Sequence, residues 1–270
     1  MNKGCTTKGV CGKGPETAGL MDVLIYAVRG EAIDNRALRA KGAADTAASR
    51  RILDALFSTI TNANFDDEAL KMRIAEALAT KNRLIGTAEK RGIALSDMPE
   101  VKFHPAPSEY EAEAAKVGVL SMRDEDIRSL KQLIIYGVKG AAAYAEHALN
   151  LGHEDPSLYE MLENALAEVS REDIGADELT ALVLNVGEAG VKAMALLDKA
   201  NTSAYGDPEI TKVNIGVGKR PGILVSGHDL KDFEELLEQT KDAGVDIYTH
   251  SEMLPAHYYP AFKKYSHFVG

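Results

Sequence analysis

The stretch Gly222–Pro260, GILVSGHDLKDFEELLEQTKDAGVDIYTHSEMLPAHYYP, restricts the fold more than any other part of the chain. A short apolar run (Ile223, Leu224, Val225) leads into an amphipathic segment from Asp229 to Ala243, and a β-rich run follows from Val245 to Thr249. Leu230, Phe233, Leu236 and Leu237 recur at helical spacing on one face, Asp229 supplies an N-terminal cap or a first-turn carboxylate, and Gly244 a stop. The stretch therefore reads as strand, helix, strand. A crossover of this length makes the two strands parallel and the connection right-handed. His228 follows the first strand and Glu252 the second, so two side chains 24 residues apart face one crevice. Open α/β sheets bind their ligands at such carboxyl ends.

Upstream the spacing is helical. Residues 1–15 read as a Gly-dense loop ending at Pro15, which suits a first helical position because its missing N–H would be unsatisfied there anyway. Helices are expected over Glu16–Val28, Ala37–Ile60 and Asp66–Arg91, the last opened by the Asp66 and Asp67 carboxylates. Pro99, Pro105 and Pro107 break the pattern, making 94–108 the expected linker between two helical bundles. The second bundle comprises Arg128–Val138, Ala141–Asn150, Pro156–Val169 and Asp177–Lys199. VLIYAVRG (Val23–Gly30) is echoed by LIIYGVKG (Leu133–Gly140), with Tyr26 and Tyr136 lying 110 positions apart. Either an internal duplication or a shared solution of helix plus glycine stop explains the echo.

Near Asn201–Pro208 the period changes from helix to strand, and Lys212–Val217 reads as extended. The expected organisation is a loop at 1–15, a helical domain over 16–207 and an α/β domain over 208–270. The fold class is thus multidomain, α then α/β: two adjacent helical bundles followed by the start of a Rossmann-like parallel domain. A short helix is expected over Ala256–Tyr265, with His267–Gly270 opening a third strand. So small a sheet leaves strand edges and one face uncovered, and the chain is therefore expected to be the N-terminal part of a longer protein.

Composition removes several function classes. With 31 basic and 41 acidic residues the net charge is −10, which opposes a nucleic-acid partner. No unbroken run of about 18 apolar residues occurs, and no secretory pattern opens the chain. No membrane partner and a cytoplasmic location are expected. Gly216–Lys219 (GVGK) leads into Arg220 and Pro221 rather than a helix, so it is not read as a phosphate loop.

The residues with chemical potential are few. Cys5 and Cys11, the only two cysteines, are either exposed thiols or half of a metal site among glycines whose N–H groups can approach sulfur. His228 alone could be a capping histidine, and Glu252 alone a solvated carboxylate. Their joint placement at neighbouring strand ends instead suits iron or zinc. His250 precedes Glu252 by two residues, so in an extended strand end both would point the same way and His250 could orient the ligand. His257 is close in sequence; His104, His147, His153 and His267 read as structural or exposed, and Tyr258 and Tyr259 as packing residues.

Ser226–Leu230 (SGHDL), Val245–Pro260 (VDIYTHSEMLPAHYYP) and Gly4–Lys13 (GCTTKGVCGK) closely resemble the hybrid cluster protein family, also called hydroxylamine reductases. The similarity runs along the whole chain. It implies an N-terminal helical domain ahead of two α/β domains, in a fold similar to that of carbon monoxide dehydrogenases. It also implies a proximal 4Fe-4S cluster held by four N-terminal cysteines. A buried hybrid iron–sulfur–oxygen cluster would be bound by a histidine, two glutamates and four further cysteines. Position by position, Cys5 and Cys11 match the third and fourth proximal ligands, and His228 and Glu252 match the first histidine and first glutamate of the hybrid cluster. The family's leading Cys-x2-Cys pair and its ligands beyond Gly270 are absent, so neither cluster is expected complete in this chain alone.

The resemblance implies an oxidoreductase. An intact relative takes electrons from a redox donor and delivers them to a small nitrogen-oxide substrate, reducing hydroxylamine to ammonia or acting on nitric oxide. The alternatives are a non-catalytic binding or scaffold module and a hydrolase built on a mononuclear metal, which lacks a third ligand and a base for its water. The oligomeric state is left open.

Overall fold

The computed structural model describes residues 12–60 and 64–270, so Cys5 and Cys11 lie outside the described residues. Two compact units are present: Met1–Glu146 with Asp155–Ala193, and His147–Glu154 with Met194–Gly270.

The first unit is helical. Its elements are α1 (Pro15–Arg39), α2 (Thr46–Ile60), α3 (Asp67–Arg91), α4 (Pro99–Lys102), α5 (Tyr110–Val117), α6 (Glu125–Asn150), α7 (Pro156–Glu168) and α8 (Ala176–Tyr205), the ends of α6 and α8 belonging to the second unit. α1 is the axis: α2, α3, α4, α5 and α7 all pack on it. Leu20, Val23, Leu24, Ala27 and Val28 are buried in its first half as the apolar spacing predicts. Beyond Val28 the helix continues eleven residues further than expected. Its buried positions there include Glu31, Asp34 and Asn35, polar residues that hide the helical period from a hydrophobicity reading.

Of these, Glu31 and Asn35 are partnered across the unit, whereas Asp34 accepts no hydrogen bond. Glu163 of α7 accepts from Asn35 Nδ2 at 2.8 Å, Ser49 Oγ at 2.5 Å and Arg39 Nη2 at 2.9 Å, while Glu31 pairs with Arg51. Arg29 Nη2 donates to Glu100 Oε1 at 2.5 Å, and Lys81 Nζ donates to the carbonyls of Glu100 at 2.6 Å and Phe103 at 2.8 Å. The proline-bearing segment 94–108 is therefore no free linker. It buries Glu100 and Val101, and the residues before and after it belong to one unit.

The repeat VLIYAVRG and LIIYGVKG lies inside α1 and α6, and neither glycine stops its helix. Gly30 serves close approach instead, since a Cβ there would sit 2.2 Å from the Glu100 carbonyl oxygen. Both copies place a cation over the tyrosine three residues earlier, Arg29 over Tyr26 and Lys139 over Tyr136, each 5.3 Å from the ring centroid. α6 is one continuous helix where two segments were expected.

The second unit contains β1 (Gly222–Ser226), α9 (Leu230–Thr240) and β2 (Asp246–His250), with the strands parallel as the sequence requires. Their register pairs Ile223 with Ile247, Val225 with Thr249 and Ser226 with His250. His267–Gly270 runs along the other side of β2 through a parallel bridge between Ile247 and Phe268, with the Ile247 N–H donating to the His267 carbonyl at 2.7 Å. Leu230, Phe233 and Leu237 of α9 cover one sheet face and form a core with Ile247, Met253 and Phe262. On the opposite face Leu224 is 68% exposed. The expected α-helix over Ala256–Tyr265 is instead two 3₁₀ segments, Ser251–Tyr258 and Pro260–Lys264. Pro255 and Pro260 cannot donate backbone hydrogen bonds, which breaks any continuous α ladder there.

α8 contains an 18-residue window of mean hydropathy 1.4, so by length and composition it is apolar enough to cross a membrane. The criterion of an unbroken apolar run missed it because isolated charges, Glu188 and Lys192, interrupt the helix. Only 28% of that window is buried, and such a helix is weak evidence for a span.

Buried charge in the first unit has a consequence for pH. Burial pushes the Asp34 carboxyl up to about 7 against the pull of Lys81, and lowers Lys81 to about 8. Neither Asp34 oxygen accepts a hydrogen bond. A carboxyl whose folded pKa is raised holds its proton more tightly in the folded state. Its stabilisation is full below the ordinary carboxylate range and lost as pH rises through about 7. Denaturant unfolding of Asp34→Asn and the parent at pH 4.5 and pH 8 should show the variant gaining on the parent at the higher pH, by on the order of 2 kcal/mol. A difference independent of pH would show that Asp34 ionises without penalty.

Candidate functional site

The site begins with strand pairing. Because Ser226 and His250 are register partners at the ends of two parallel strands, the residues that follow each strand emerge side by side. After β1, Gly227 takes φ +141°, a conformation open to glycine, and the chain turns through His228 into α9. Asp229 caps that helix: its Oδ1 accepts from the N–H groups of Lys231 at 2.8 Å and Asp232 at 3.1 Å. Its Oδ2 lies 3.0 Å from His147 Nδ1. These contacts hold the Asp229 carboxyl below the ordinary carboxylate range although burial opposes them. An ionised Asp229 can only accept, so His147 Nδ1 is the donor.

After β2, Ser251 has φ +54°, the one non-glycine residue with positive φ among the described residues. The chain turns there into the 3₁₀ segment that carries Glu252. The two turns bring His228 Nε2 and Glu252 Oε2 to 4.0 Å, with side-chain exposures of 66% and 67%. The structure thus places together the imidazole and carboxylate singled out from sequence, on the solvent-exposed edge where the two strands end. Among the described residues no group of three or more His, Cys, Asp or Glu side chains could hold a metal ion. A nitrogen and an oxygen donor at this separation fit two positions on a shared iron or zinc, and further ligands would have to come from elsewhere.

His250 does not join them as expected. The left-handed turn at Ser251 ends the two-residue alternation, and His250 Nδ1 lies 3.4 Å from Ser226 Oγ on the neighbouring strand. His257 packs inward: its Nε2 is 2.8 Å from Thr249 Oγ1, its ring stacks on Phe268 at 4.2 Å, and burial lowers its pKa. It lines a cavity of about 260 Å³ with Thr211, Lys212 and Asn214, and neither His228 nor Glu252 borders that space. His267 Nε2 is 3.0 Å from Thr240 Oγ1 and His153 Nδ1 is 3.1 Å from the Leu151 carbonyl, both in packing roles. Tyr259 is buried beside Tyr205 and Phe262. His147, read from sequence as structural or exposed, is buried and bonded to Asp229. It is 82 residues from its partner, and no local pattern marks it.

The family described as Prismane/CO dehydrogenase matches residues 1–270. Among curated proteins, a hydroxylamine reductase of Parabacteroides distasonis is 56% identical over 270 residues, covering 99% of this chain and 49% of the relative. Hydroxylamine reductases of Bacteroides fragilis and Porphyromonas gingivalis are each 55% identical, covering 99% and 100% of this chain and 48% and 49% of their own lengths. The chain spans about half the length of the curated relatives it matches.

The backbone at Ser251 provides a direct check of the local geometry. Ser251→Val, which places a β-branched residue at φ +54°, should lower unfolding free energy by about 1–3 kcal/mol, while Ser251→Gly should not lower it. Equal stability of the Val and Gly variants would contradict the left-handed turn.

Proposed function

The chain belongs to the Prismane/CO dehydrogenase family, and from that membership we propose that it forms part of a hydroxylamine reductase, contributing His228 and Glu252 to an iron–sulfur–oxygen centre. The observation that carries this reading is the 4.0 Å approach of His228 Nε2 to Glu252 Oε2 across the ends of two parallel strands. It occurs in two of the three segments that closely resemble the hybrid cluster proteins.

The net reaction takes hydroxylamine, two electrons and two protons to ammonia and water, so electrons must arrive from a separate redox donor. A bound centre of this type supplies those electrons and an open iron position for the substrate oxygen or nitrogen. His228 would hold its iron through a neutral ring nitrogen and Glu252 through a carboxylate oxygen, harder donors than thiolate and suited to an iron that must also accept a small polar ligand. Gly227 lets the chain turn at the strand end, and Asp229 anchors the following helix so that the imidazole is presented from a fixed base. By resemblance Cys5 and Cys11 would be two of the four thiolates of the proximal cluster. The remaining ligands of both centres would lie in the part of the family's length that this chain does not span.

A chimera joining this chain to the C-terminal half of the Parabacteroides distasonis relative tests the proposal. After anaerobic reconstitution it should oxidise a reduced viologen dye in the presence of hydroxylamine. His228→Ala and Glu252→Ala should each lower that rate by about 100-fold and reduce the iron bound. Unchanged rate and iron content in both variants would overturn the assignment.

A further inference from the structure

We propose that His147 is a positioning residue for the His228 and Glu252 site, acting through Asp229; this rests on the reading of that site given above. His147 lies on the last turn of α6 with its side chain 10% exposed, and its Nδ1 donates to Asp229 Oδ2 at 3.0 Å. The other oxygen of the same carboxylate accepts the two first-turn N–H groups of α9. Asp229 is thus clamped from two directions, by its own helix and by a side chain 82 residues away.

The need for a clamp follows from what stands on either side of His228. Gly227, at φ +141°, gives the chain entering the turn no side chain with which to pack. His228 itself is 66% exposed, so packing does little to fix its ring. The backbone that carries this imidazole is therefore secured chiefly from the Asp229 side. Without the His147 donor the Asp229 carboxylate could still cap α9, but it could rotate about its side-chain bonds, and the turn would lose its tie to α6. A small rotation at residue 228 is multiplied along the imidazole, and the approach to Glu252 depends on it. A ligand's orientation is commonly set by such an outer hydrogen bond. Here the tie reaches the adjacent residue rather than the imidazole itself.

The experiment uses the 270-residue chain and Zn2+ alone as the probe, with the His228 ring resonances followed by NMR. His147→Leu fills the space without a donor, and His147→Asn places an amide N–H close to where Nδ1 stands. The apparent Zn2+ affinity read at His228 should fall about tenfold in His147→Leu and return to within about twofold of the parent in His147→Asn. A merely structural role would not follow the donor in this way. Should His147→Leu fail to fold, Asp229→Asn, which keeps a capping oxygen but no longer offers a charged acceptor to His147, should show the same weakening. Equal Zn2+ affinity in the parent and the variant lacking the donor would overturn the positioning role. Failure of Zn2+ to perturb both His228 and Glu252 in the parent would overturn the reading of the site itself.

Discussion

The parallel pairing of β1 with β2 is the constraint on which the candidate site depends. Two strands that run the same way end at the same edge, and the register joining Ser226 to His250 sets the starting points of the two turns that follow. A slip of one residue would send every side chain of the slipped strand to the opposite face. Ile247 and Thr249 would leave the side covered by α9, so burial of Ile247 against Phe233 and Leu237 enforces the register that aligns His228 with Glu252. Packing energy on one face thereby becomes geometric accuracy at the strand ends.

The helical unit solves a different problem. α1 is surrounded by other helices, and its second half buries Glu31, Asp34 and Asn35. Ionised groups out of water are costly unless paired and hydrogen-bonded. Glu31 and Asn35 have such partners, and Arg29, Lys81 and Glu100 join the segment after α3 to the same interior. Asp34 has only the field of Lys81 to offset burial, which is why its carboxyl is raised while Asp229, bonded to His147 and two backbone amides, is lowered. A buried aspartate and a half-buried one shift in opposite directions because the first lacks donors and the second has three.

The parts of the fold that were legible in sequence are those governed by local chemistry. The apolar run before Ser226, the cap at Asp229 and the period of Phe233 and Leu237 defined β1, α9 and β2, and with them the neighbouring positions of His228 and Glu252. Where the period was carried by buried polar residues, as in the second half of α1, it was invisible until their partners were known. Where proline removed backbone donors, as at Pro255 and Pro260, helical spacing survived without an α-helix. The placement of His250 failed for a third reason: one left-handed residue, Ser251, cancelled the strand alternation on which it was based.

By itself the chain's order of residues determined the class of the fold, the parallel βαβ unit and the pair of donors at its edge, because helix period, strand period and capping act within a few residues. Tertiary structure alone decided that Glu100 would enter the interior beside Gly30, that His257 would turn away under the sheet, and that His147 would hold Asp229. Those outcomes depend on groups tens of residues apart meeting in space, where hydrogen-bond geometry and the cost of buried charge choose among partners that no local pattern distinguishes.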